Sequence, residues 1–221
     1  MKFRVTYSNN WAEFGINLKN KELSIPGIND IDFSAEIISR ILKNTKEGST
    51  LWYLKKDLEK DFSKHREWAK LNEVFHDELG VYTEIQPLIE RVYGIIALLF
   101  YSSKRYANQI QSQRRPYWMF ASAMHASSTK LEKALNDKCY NNHSKIWEYF
   151  YPPNSPFESL RVRSLSDFAK EKRSIIVESD PDITIKNINF NNSIFKIVSV
   201  KIEGEYYSCY PGWGYNYFEL W

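Results

Sequence analysis

The chain has 221 residues, of which 43% are hydrophobic and 26% charged. That balance excludes a disordered polymer, and the length is enough to bury a core without disulfides or metal ions. A formal net charge of +3 is too small to argue for nucleic-acid binding on composition alone. Aromatic residues stand out at 16%, with fifteen Tyr, thirteen Phe and seven Trp. Such rings fill cores, and Tyr and Trp also suit interfaces because one end stays polar. The two cysteines, Cys139 and Cys209, lie far apart with no metal-like spacing, which points to free thiols and a reducing compartment. Residues 1–7 lack the apolar core of a signal peptide, and no apolar run approaches the length of a membrane span. The expectation is a soluble cytoplasmic chain with no membrane partner.

In chain order, residues 2–7 alternate, with Phe3, Val5 and Tyr7 on one face. After Asn9-Asn10, which suits a turn, Phe14, Ile16 and Leu18 alternate again, so the pattern predicts an N-terminal β-hairpin. Pro26-Gly27 and Asn29-Asp30 mark a loop. Ser34 is a candidate cap for a helix to about residue 44, with Ile37, Ile38, Ile41 and Leu42 as its stripe, and Gly48 ends it. Leu51, Leu54, Leu58 and Phe62 continue at helical spacing, and Trp68, Leu71, Phe75 and Leu79 resume it after a slip. The stretch 84–139 then reads as a helical hairpin broken at Arg114-Arg115-Pro116. Its first helix carries the longest apolar run, residues 94–101, and its second, 117–137, is rich in small residues. A short helix over 145–150 leads to a loop at Pro152-Pro153, and Ser155 with Glu158 fits a capping box. Ser164 can cap a further short helix ending at Lys172.

The remainder reads as strands at 175–177, 183–190, 194–202, 205–210 and 215–220, joined by turn-like connections that imply antiparallel neighbours. The predicted class is α+β: an N-terminal β-hairpin, a central helical bundle over residues 35–172, and a C-terminal antiparallel meander sharing a sheet with the hairpin. The expected organisation is a single domain over 1–221, with a helical core at 34–172 and a β layer from 1–18 plus 175–221.

No phosphate-binding loop, dinucleotide fingerprint, nucleophile elbow or paired-cysteine motif is present. The four histidines fall in separate segments, and only His76-Asp77-Glu78 sets one beside carboxylates; no metal and no cofactor are expected. The best polar cluster is Arg114, Arg115 and His125, where arginine could meet developing charge on a phosphodiester and histidine could move a proton. This set broadly resembles the helical-hairpin ribonucleases of the HEPN class. Those carry Arg, four residues, then His; here Arg115 is ten residues from His125. The second feature is the aromatic tail, with Tyr206, Trp213, Tyr215, Tyr217 and Trp221 as candidate contact residues. Alternate residues of a strand face opposite sides, so one core cannot take them all.

Two functions follow. The first is a non-catalytic protein-binding or inhibitory domain of immunity, antitoxin or anti-defence type that occludes a partner protein through the aromatic tail. The alternative is a HEPN-like ribonuclease using His125, Arg114 and Arg115, with nucleic acid as partner.

Overall fold

The computed structural model describes residues 4–73, 86–125, 128–156, 158–190 and 192–214. The chain is of mixed α+β class, and it divides into two compact units, 1–101 and 102–221. Strand β1 (Arg4–Val5) pairs in parallel with β2 (Glu22–Leu23), and between them lies α1 (Trp11–Lys19). The predicted N-terminal hairpin is therefore corrected: its second arm is a helix. Asn10 is an N-cap rather than a turn residue, its side chain accepting from Glu13 N at 2.9 Å. Trp11, Phe14, Gly15 and Leu18 are buried, and their three-and-four spacing is helical. Among the described residues, β1 and β2 form a sheet of their own and do not join the C-terminal strands.

Helix α2 (Ile31–Glu47) starts one turn earlier than the cap at Ser34 implies, because Asp30 accepts from Phe33 N at 3.0 Å. It stops at Gly48, which takes the left-handed conformation at φ 71°. Its stripe of Phe33, Ile37, Ile38 and Ile41 is buried, and it packs against α3 (Leu51–Phe62), which buries Leu54 and Leu58. Arg40 joins the two helices by bonding Glu36, Asp57 and Asp61. A single turn, α4 (Trp68–Leu71), follows. The predicted continuation through Phe75 and Leu79, and the His76-Asp77-Glu78 stretch, lie outside the described residues. Helix α5 (Leu88–Ile110) forms as its apolar pattern predicts and buries Ile89, Val92, Ile95, Ile96 and Leu99.

The predicted second helix of the hairpin does not form. Residues Tyr117–Ala121 are strand β3, Lys130–Leu135 form the short helix α6, and Cys139–Asn141 form β4. Tyr-Trp-Met-Phe-Ala is a run suited to a strand covered on both faces. One face sets Trp118 and Phe120 among Trp147, Tyr140 and Tyr151; Tyr106 joins Trp118 and Tyr151 at 5.9 and 4.8 Å between ring centroids. The other sets Met119 with Cys139 and Leu165, flanked by Tyr117, Ile175 and Val177. After α7 (Ile146–Phe150), β5 (Arg161–Leu165) completes an antiparallel sheet of order β4-β3-β5. The helical core predicted over residues 35–172 is thus interrupted by a sheet. Helix α8 (Asp167–Lys172) is capped by Ser166, whose hydroxyl accepts from Ala169 N, while Ser164 lies within β5.

Strands β6 (Ile183–Phe190), β7 (Ser193–Ile202) and β8 (Glu205–Ser208) form the antiparallel meander that the sequence predicts. The predicted strand over 175–177 reduces to one bridge, Cys139 to Val177. The predicted strand over 215–220 lies outside the described residues. No described helix is long and apolar enough to cross a membrane.

Candidate binding surface

The meander owes its shape to register. Ile183, Ile185, Asn187 and Asn189 of β6 face Val200, Val198, Lys196 and Ile194 of β7, so these residues share one face. Thr184, Lys186, Ile188 and Phe190 share the other with Ser199, Ile197, Phe195 and Ser193. The same register fixes where the backbone groups point. Lys201 N donates to Asp182 O at 2.9 Å, so even-numbered residues of β6 exchange bonds with β7. The N–H and C=O groups of Ile183, Ile185, Asn187 and Asn189 then point away from β7. In the order β6-β7-β8 that side is an open edge among the described residues.

Burial is uneven across this sheet. Val198, Val200 and Phe195 are covered, yet Ile185 is 48% exposed, Ile194 74% and Tyr206 55%. Tyr206 pairs with Lys201 across β8 and β7, and the Lys201 ammonium stands over its ring at 5.7 Å. Of the contact residues chosen from sequence, Tyr206 is thus at the surface. Trp213 is not: it is fully buried and belongs to the core of its unit. Tyr215, Tyr217 and Trp221 lie outside the described residues. The isoleucines of the edge were missed because isoleucine in a strand reads as core; only the length of β6 beside a short β8 hinted that part of it lies open.

The alternative site is dispersed. Arg114 and Arg115 are exposed just before β3, and His125 is exposed in the loop after it, not on a helix. They flank opposite ends of a five-residue strand, which by itself spans about 17 Å. Nothing in that arrangement brings a proton-transferring group and a charge-stabilising group to one phosphodiester.

The polar cluster that does form in this unit lies elsewhere. Glu132 of α6 is 1% exposed and accepts from Ser122 Oγ at 2.5 Å and from Ser159 Oγ. Ser122 N donates to Asn136 Oδ1 at 2.8 Å. Close by, Glu158 accepts from both the backbone N and the side-chain Nδ2 of Asn154, at 2.5 and 3.1 Å. The capping box read at Ser155 would instead have Glu158 accept from Ser155 N; the bonds go to Asn154 and clamp a loop, and among the described residues no helix follows Ser155. Part of Glu158 reaches solvent, while its carboxyl group is enclosed by protein. Burial therefore pushes its pKa up to about 8, the Asn154 bonds opposing and the charge of Glu132 adding to the rise. Burial likewise lowers the pKa of Arg161, with Glu158 opposing. A serine nucleophile would need its hydroxyl open to substrate. Here both hydroxyls are committed to one covered carboxylate, so the cluster ties the loop after β3, helix α6 and the loop before β5 together. Among the described residues no group of three or more His, Cys, Asp or Glu side chains gathers as a metal site would.

No family model matches the chain, and no solved structure does. The chain is similar to the Mu-like prophage FluMu F protein of Haemophilus influenzae, at 31% identity over 80 residues. The similarity covers 36% of this chain and 19% of that protein. The stretch in common is thus about a fifth of the relative's length.

Proposed function

We propose that the chain is a non-catalytic protein-binding module of prophage type, which occupies a surface of its partner through the C-terminal sheet. The observation that carries this reading is the exposure of Ile185 and Ile194 on one face of a three-stranded sheet with an open edge among the described residues, Tyr206 being exposed on the opposite face. Isolated apolar residues on a surface are ordinary, but apolar side chains beside unpaired backbone groups form a surface that another chain can cover. The likeness to a prophage protein over 80 residues supports the setting. That setting favours another phage-encoded protein as the partner. The inhibitory form of the reading, in which the partner is a toxin or a host defence protein, uses the same surface.

Amine-reactive cross-linking in cells that encode the chain tests the reading, because Lys186, Lys196 and Lys201 all lie on this sheet and are exposed. The expected result is a dominant set of cross-links from these lysines to one protein, whose identity separates a phage component from a toxin or host protein. Replacing Ile185 and Ile194 by serine should reduce those cross-links severalfold while leaving the melting temperature within a few degrees. Cross-links that favour no partner, or a partner held equally by the double variant, would remove the sheet from consideration.

A further inference from the structure

We propose that the outer edge of β6 takes an extended, acidic segment of a partner protein as a fourth strand of the meander. This rests on the protein-binding reading above and gives the partner a chemistry. Four residues at alternate positions, Ile183, Ile185, Asn187 and Asn189, turn their backbone donors and acceptors outward. At eight residues β6 is twice the length of β8, the four-residue strand at the other end of the order among the described residues. Long edges are commonly blunted by proline, a bulge or a covering element. Here β6 contains no proline, and it pairs with β7 without a break from Ile183 to Phe190. Ile185 and Ile194 are open on the face that the outward-pointing residues share, so an added strand gains side-chain burial as well as backbone bonds.

Charge selects the occupant. Lys186 stands in the middle of the edge strand and shares a face with Lys201 of β7, while Lys196, opposite Asn187, lies on the face of Ile185; all three are exposed. None has a carboxylate within ion-pair reach among the described residues, unlike Lys55, Lys70 and Lys138. An incoming strand that sets Asp or Glu across from Lys186, alternating with β-branched residues across from Ile185, matches charge on the first face and covers Ile185 on the other. A segment with lysine at the same place meets like charge directly opposite, which is unfavourable. A second copy of the chain meets that repulsion in the register that sets Lys186 against Lys186.

The test uses the whole chain and a synthetic nine-residue peptide alternating glutamate with valine; a control replaces each glutamate by lysine. The acidic peptide should bind at least severalfold more tightly by fluorescence anisotropy. Its binding should slow hydrogen exchange at the amides of Ile185, Asn187 and Asn189. Asn187→Pro removes one outward donor without touching a bond to β7, so the fold should persist while peptide binding is lost. Lys186→Glu, a surface change, should weaken binding about fivefold. Equal binding of the two peptides, or exchange protection away from β6, overturns the proposal. So does a concentration-dependent dimer that Asn187→Pro dissociates, since the occupant is then a second copy. If the cross-linked partner is held as well by Asn187→Pro as by the native chain, the edge is wrong while the protein-binding reading stands. If the native chain has no partner at all, it is that reading which fails.

Discussion

Glu158 shows how a single carboxyl group can report on the packing around it. Its pKa rises from 4.5 to about 8, chiefly through burial. Between those two values the folded chain holds a proton that the unfolded chain has released. Raising the pH through that window therefore lowers stability, and above 8 this contribution is constant. Glu158→Gln does not titrate there. Its melting temperature should rise relative to that of the native chain as the pH climbs from 4.5 to 8, and the difference should then level off. A difference that stays constant over the range would mean that the carboxyl group is solvated. A second residue is constrained by space alone. Gly214 has φ +94°, and a Cβ there would meet Val198 Cγ2 at 2.9 Å and Cys209 Sγ at 3.1 Å, both on buried residues. Gly214→Ala combines backbone strain with overpacking and should cost about 2 to 4 kcal/mol in urea unfolding.

At the level of elements, the sequence is legible where one periodicity excludes the other. Helices α2, α3 and α5 have apolar stripes too long for strands, and the meander β6-β7-β8 has turn residues between alternating runs. Two segments satisfy both patterns. Residues 11–18 offer Phe14, Ile16 and Leu18 to a strand but Trp11, Phe14, Gly15 and Leu18 to a helix. The decision falls to Asn10, whose side chain caps Glu13 N, and to Glu13, whose carboxylate accepts from Asn9 N. Asn10→Ala should accordingly destabilise the chain by about 1 kcal/mol, read as a shift in denaturation midpoint at unchanged slope. No shift would leave α1 dependent on the packing of Trp11 and Phe14 alone. Residues 117–121 have no polar position to reveal a period, and only tertiary cover on both faces makes them a strand. The site divides in the same way. Exposure of Tyr206 was legible from an excess of rings over available core. Trp213 shares that composition and is buried, because its place is set by the packing of residues distant in sequence.

For the molecule as a whole, cohesion comes from packing within the two units rather than from covalent staples. Among the described residues both cysteines are free and buried. Cys139 lies in the apolar layer with Met119 and Leu165, and burial, reinforced by the charge of Glu178, pushes its thiol up to about 11. Burial raises the Cys209 thiol as well, with Glu158 adding to the rise, and its Sγ sits 4.0 Å from Asn154 Oδ1. The thiolate is the reactive form, so low access and a raised pKa act in the same direction. In the native chain near pH 8 a thiol reagent should consume neither cysteine over minutes, and in denaturant it should consume both. The melting temperature should be the same with and without reductant, because no bridge exists to break. Rapid reaction of one thiol in the native chain would show that its unit opens locally at a free-energy cost well below that of global unfolding. The faster thiol would identify the less stable of two regions: the layer around β3 and β4 if Cys139, or the packing beneath β7 that also holds Gly214 if Cys209. The second outcome bears on function, since loosening beneath β7 would also loosen the strand that presents the open edge of β6.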